Sequence, residues 1–140
     1  MAEAKVLVVA NRTAESDELL EALKSRAAEG PAVFTLLVPA TPHGVAWAGD
    51  MHAGGPEAEQ HVESAVGRFR DAGLEVEGKV GDPDPLAAVQ DAANFGDYAE
   101  VIVSTLPTHL SKWLKLDLPH KVEAATGLPV THVTASSADA

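Results

Sequence analysis

The sequence contains no cysteine, so disulfides, thiolate metal sites and thiol nucleophiles are excluded. Aromatic residues are scarce, while the apolar and charged fractions are ordinary for a globular protein. No apolar run approaches the roughly 20 residues that a transmembrane helix needs. The N-terminal MAEAKVLVVANRT has a short apolar stretch ended by Asn11 and Arg12, too short and wrongly flanked for a secretion signal. The expected location is the cytoplasm. The formal net charge is −11, and no cluster of Lys or Arg offsets it. Phosphate backbones are bound chiefly by neutralising cations, so neither DNA nor RNA is expected as a main partner. Lys112, Lys115 and Lys121 come nearest to a basic patch, and near a helix C-terminus they would serve the helix dipole. Phosphate-cradling motifs are missing as well: there is no G-x-x-x-x-G-K-[ST] and no G-x-G-x-x-G. The turn after the first apolar run, ANRTAES, holds no glycine. A receiver domain would need an acidic cluster there and an aspartate ending the third strand, which Asn11 and Gly81-Asp82 do not supply.

What the chain does have, in 140 residues, is room for one domain and one core. Five apolar runs stand out: Val6–Ala10, Val33–Val38, Leu74–Val80, Val101–Thr105 and Val130–Val133. Helical patterns lie between them. Thr13 is positioned to cap a first helix whose opening turn carries Glu15, Asp17 and Glu18. Its apolar stripe is Leu19, Leu20, Leu23 and Ala27, and Gly30-Pro31 stops it. A second helix is predicted over Pro56–Asp71, with Val62, Ala65, Val66 and Phe69 inward and Gly73 as terminator. The third opens at Asp84-Pro85, an N-cap followed by proline at the first helical position, with Leu86, Val89 and Ala93 inward. The fourth is split by Pro119 into a short piece around Leu110–Leu116 and a second from Pro119 to Thr126, ended by Gly127 and Pro129. The tail Ala135–Ala140 is expected to fray.

Strands alternating with helices imply right-handed crossovers and a parallel sheet. Strands buried on both faces read as continuous apolar runs, whereas edge strands alternate. VLVVA, VFTLLV and VIVST are continuous; LEVEGKV alternates and VTHV mixes in polar residues. The third and fifth strands are therefore the edges. The expected architecture is a three-layer α/β fold with an open five-stranded parallel sheet of order 3-2-1-4-5, rather than the flavodoxin order.

This layout resembles the universal stress protein family, the UspA-type, Rossmann-like domain of the adenine nucleotide alpha hydrolase-like fold. The resemblance covers about residues 4 to 134. It is carried by VLVVANRTAESDELLEAL, by GDPDP before the third helix, and by VIVSTLP with TGLPVTHV at the end. The family pattern places Asp-Gly-Ser after the first strand, where this chain has Asn11, Arg12 and Thr13. ATP-binding members carry G-x-x-G after the fourth strand and G-[ST] about nine residues later. Here those glycines fall on Ser104 and Pro107, and the later pair falls on Asp117-Leu118. Proline has no N–H to offer a phosphate, and an aspartate sets a carboxylate against it. The resemblance thus implies the fold without the ATP site, a stress-associated role, and a homodimer formed through the fifth strand. That edge lacks the lysines and internal prolines that usually block pairing.

The candidate ligand cleft lies at the carboxyl ends of the strands, where open α/β folds bind ligands. The first strand brings Ala10, Asn11, Arg12 and Thr13 there, and the second brings Val38. The fourth brings Ser104 and Thr105, followed by Pro107, His109 and Asp117. The long loop Ala40–Gly55 joins them, with Trp47 either plugging the cleft or belonging to a lid over a small-molecule pocket. Ser104, Thr105 and His109 invite a nucleophile pair, but no G-x-S-x-G elbow or orienting acid accompanies them. Trp113 is read as core or interface. Of the six histidines, His43, His52 and His61 lie closest in sequence, without a standard metal-ligand spacing. The expectation is a non-catalytic domain with no metal and no cofactor. A nucleotide- or metabolite-binding protein using this cleft is the first alternative, and a small hydrolase using it the second.

Overall fold

A computed structural model describes residues 4–10, 16–39, 55–81, 84–105 and 117–135. Five strands form one parallel sheet: β1 (Ala4–Val9), β2 (Ala32–Pro39), β3 (Val76–Gly81), β4 (Glu100–Thr105) and β5 (Val130–Thr134). Their spatial order is β3-β2-β1-β4-β5, so the two strands of mixed polarity are indeed the edges. Four helices are described: α1 (Asp17–Glu29), α2 (Gly55–Asp71), α3 (Pro85–Phe95) and α4 (Leu118–Thr126).

Alternate residues of the three central strands serve two separate cores. Val6, Val8, Phe34, Leu36 and Ile102 meet Leu19 and Leu23 of α1 and Val62, Ala65 and Phe69 of α2. Leu7, Val9, Leu37, Val101 and Val103 meet Ala88, Val89 and Ala92 of α3 and Leu118 and Val122 of α4. The central strands are apolar at successive positions because both faces are covered.

The helix boundaries follow local chemistry, with some corrections. The cap of α1 is Ser16, not Thr13: its buried Oγ accepts the Leu19 N–H at 3.2 Å, three residues along as an N-cap requires. Thr13 lies outside the described residues. Gly30 ends α1 in an extended conformation, and the Pro31 carbonyl accepts from the Ala4 N–H. Gly73, at φ 90°, turns the chain out of α2 in the left-handed region. Asp84 caps α3 through its Oδ1, which accepts from the Leu86 N–H at 3.0 Å. The buried stripe of α3 is Ala88, Val89 and Ala92, so Ala93 sits at its flank. Lys121 lies in the first half of α4, away from the helix C-terminus where it was expected to serve the dipole. Leu74 precedes β3 and is only half-buried. The predicted piece Leu110–Leu116 lies outside the described residues. Ala135 is fully buried and its N–H donates to the Thr105 carbonyl at 2.8 Å, so β-type pairing persists to that residue.

Side-chain ties cross between elements. Arg26 of α1 donates Nε to Glu100 of β4 at 3.0 Å, with both side chains largely shielded. Arg68 of α2 pairs with Asp17 of α1. No helix among the described residues is long and apolar enough to cross a membrane.

Candidate functional site

The carboxyl rim of the sheet begins where β1, β2 and β4 end together. Val9 stands beside Leu37 of β2 and Val103 of β4. One residue further, Ala10, Val38 and Ser104 form a row across three neighbouring strands on the face covered by α1 and α2. All three are buried. Ala10 is tied to β2 through its N–H, which donates to the Leu37 carbonyl at 3.2 Å. Ser104 is the polar member of this row, and Val133 of β5 continues it.

Strand alternation sends Thr105 to the opposite face. There its Oγ1 lies 2.7 Å from Nε2 of His132, which stands beside Val103 on β5. Partial burial of the imidazole holds the His132 pKa below its ordinary value. The neutral ring can therefore accept from the Thr105 hydroxyl at neutral pH. Ser104 and Thr105, adjacent in sequence, thus face different layers. His132 was not among the residues expected at this rim. Its nearness to Thr105 depends on the register between parallel strands, which the intervening crossover sets.

Asp117 stands just ahead of α4, exposed, with φ 57° and ψ 44°. It is the only non-glycine residue with positive φ among those described. Its side chain makes no cap bond to α4 and instead lies 3.2 Å from Nδ1 of His120. A left-handed backbone favours glycine, with Asn and Asp the most tolerant substitutes. The position that the resemblance aligns with a glycine therefore has a glycine-type backbone.

Asn11, Arg12, Thr13, Trp47, Pro107, His109 and Trp113 lie outside the described residues, as do His43 and His52. His61 lies within α2, its side chain outside the described set. Among the described residues no three His, Asp or Glu side chains gather as a metal site would require. A groove of about 320 Å³ lies between α2 and β3, and Val80 at its end stands beside Val38 of the row.

No family model matches the chain, and no curated protein matches it. Solved structures do. A universal stress protein from Archaeoglobus fulgidus is similar over 95 % of this chain and 95 % of its own, with TM-score 0.65 and 17 % identity. A universal stress protein in complex with cAMP is similar over 97 % of this chain and 100 % of its own, with TM-score 0.67 and 17 % identity. One from Arabidopsis thaliana with AMP bound is similar over 97 % and 94 %, with TM-score 0.65 and 14 % identity. The chain has the universal stress protein fold.

Proposed function

We propose that this protein is a divergent, non-catalytic member of the universal stress protein family, cytoplasmic and homodimeric, that does not grip ATP. The observation that carries the reading is Asp117. It occupies the left-handed backbone position ahead of α4 that the family pattern fills with glycine. Its exposed carboxylate adds repulsion, in a chain of net charge −11, where a polyphosphate would need donors. Pro107, aligned with the other glycine of the pattern, has no N–H to contribute. The stress association follows from the resemblance.

A second reading is favoured by the bound molecules of the structural neighbours. Complexes with AMP and with cAMP occur among them, and a monophosphate brings less charge to the same rim than ATP. In that case the row Ala10, Val38 and Ser104 would floor an adenosine monophosphate site. Isothermal titration of the full chain with ATP and with AMP separates the two. Binding of neither supports the first reading, and binding of AMP alone supports the second.

The homodimer would form through β5. The Pro129 carbonyl accepts from Val101 and the Ala135 N–H donates to Thr105, so residues 129, 131, 133 and 135 turn their backbone groups toward β4. The open edge then belongs to Val130, His132 and Thr134. The backbone groups of Thr131 bond within the subunit. His132→Pro removes an outward N–H and spares the inward ladder. Sedimentation should show native association weakened by this change; a native monomer, or association left unchanged by it, would refute the β5 interface.

A further inference from the structure

The opposite edge of the sheet carries its own complementarity. β3 reads Val76-Glu77-Gly78-Lys79-Val80, with Glu77, Gly78 and Lys79 exposed. The Glu75 carbonyl accepts from the Phe34 N–H at 2.9 Å, which turns the backbone groups of residues 75, 77 and 79 toward β2. In a regular parallel ladder the N–H and C=O of Val76, Gly78 and Val80 then face the open edge. Arg70 agrees with this, because its Nε donates to the Val76 carbonyl at 2.9 Å from outside the sheet. A carbonyl has a second lone pair, so that bond does not close the site.

An edge lysine alone usually discourages pairing. Here it stands two residues from a glutamate, with a glycine between them. We propose that β3 pairs antiparallel with β3 of a second copy about a two-fold axis at Gly78, continuing the sheet across two subunits.

Residues equidistant from Gly78 face one another across such an axis. Glu77 of each chain stands opposite Lys79 of the other, giving two ion pairs, and Val76 stands opposite Val80. The outward backbone groups of Val76, Gly78 and Val80 make these the hydrogen-bonded pairs. Glu77 and Lys79 fall at the non-hydrogen-bonded positions, where opposed side chains come closest.

The layer above fits the same axis. Gly78 leaves beside Val62 a groove of about 320 Å³, lined by Glu59, Val62, Glu63, Gly78, Lys79 and Val80. Val76 and Val80 of the copy would stand over it. α2 would run antiparallel to its copy, setting its acidic start, Glu59 and Glu63, alongside the other's Arg70 near the basic end. A symmetric interface that is self-complementary in both backbone and charge needs no other partner.

The proposal goes beyond the β5 dimer and is tested on chains carrying His132→Pro, so that the β5 edge does not substitute for it. Sedimentation equilibrium should show association. Lys79→Glu or Glu77→Lys, which places like charges opposite, should weaken it about tenfold. The exchange Glu77→Lys/Lys79→Glu should restore it, because the pairs are re-formed with signs reversed. A monomer before any β3 change, insensitivity to the single changes, or failure of the exchange to restore association would overturn the proposal.

A second measurement uses the otherwise native, cysteine-free chain. A mixture of Glu77→Cys and Lys79→Cys chains should form a disulfide-linked dimer on mild oxidation that neither forms alone. Directly opposed residues lie within bridging distance, whereas diagonal ones are about 7–8 Å apart. No product from the mixture, or equal product from one variant alone, contradicts the stated register.

Discussion

The Thr105 hydroxyl and the His132 imidazole meet at 2.7 Å across the β4–β5 pair, although 27 residues separate them in sequence. The pair ties the edge strand to the buried end of β4. It also gives the sheet a titratable side chain at the edge proposed for dimerisation.

Thr105→Val should cost about 0.5–1.5 kcal/mol, the usual net worth of one hydrogen bond. Burial lowers the His132 pKa, so the unfolded chain takes up its proton at a higher pH than the folded one. Through the window just below the ordinary histidine value the unfolded state therefore holds more protons, and stability falls as pH falls. The contribution is fully present above that ordinary value. Urea unfolding at about pH 8 and about pH 5 should show a larger acid loss for the native chain than for His132→Gln. Equal losses would mean that His132 is not responsible.

Gly78 and Gly67 should respond oppositely to alanine. A Cβ on Gly78 would lie 2.2 Å from Cγ1 of Val62 and 2.8 Å from Cγ2 of Val66. Overpacking of this kind costs about 1–3 kcal/mol. A Cβ on Gly67, within α2, meets only open space, and glycine disfavours helix interiors. Gly67→Ala should therefore stabilise by about 0.5–1 kcal/mol. Thermal melts of the two variants shifting in the same direction would contradict the packing described for α2 on β3.

Asp117 should accept glycine and resist β-branched residues. Its left-handed backbone costs an L-residue roughly 1–2 kcal/mol, which glycine avoids. Asp117→Gly is expected to leave Tm at or above the native value, and Asp117→Val to lower it. The reverse order in melting experiments would remove the argument that this is a glycine-type position.

The strand order was legible because burial on both faces leaves a mark that the chain cannot hide. VLVVA, VFTLLV and VIVST have no polar alternation, while LEVEGKV and VTHV do. Helix ends were legible where glycine or an Asp-Pro pair stood at them, as at Gly30, Gly73, Gly127 and Asp84-Pro85. Thr13 and Ser16 offer the same capping chemistry three residues apart, and α1 starts at Asp17, directly after Ser16. Ala93 gave way to Ala88 and Ala92 because an alanine-rich helix carries a weak stripe, so packing against Leu37 and Val103 sets its rotation. His132 was missed for a different reason: parallel register is a property of the crossover, not of the strand. The same register leaves Val130, His132 and Thr134 with their backbone groups at the open β5 edge. Of the candidate rim, Ala10, Val38 and Ser104 come together in one row, whereas Thr105 turns away.

Isothermal titration of the purified full chain with ATP and magnesium reads directly whether the rim grips a polyphosphate. With Pro107 and Asp117 in place of the glycines of the family pattern, no measurable heat of binding is expected at micromolar protein. Saturable binding with micromolar affinity would contradict it.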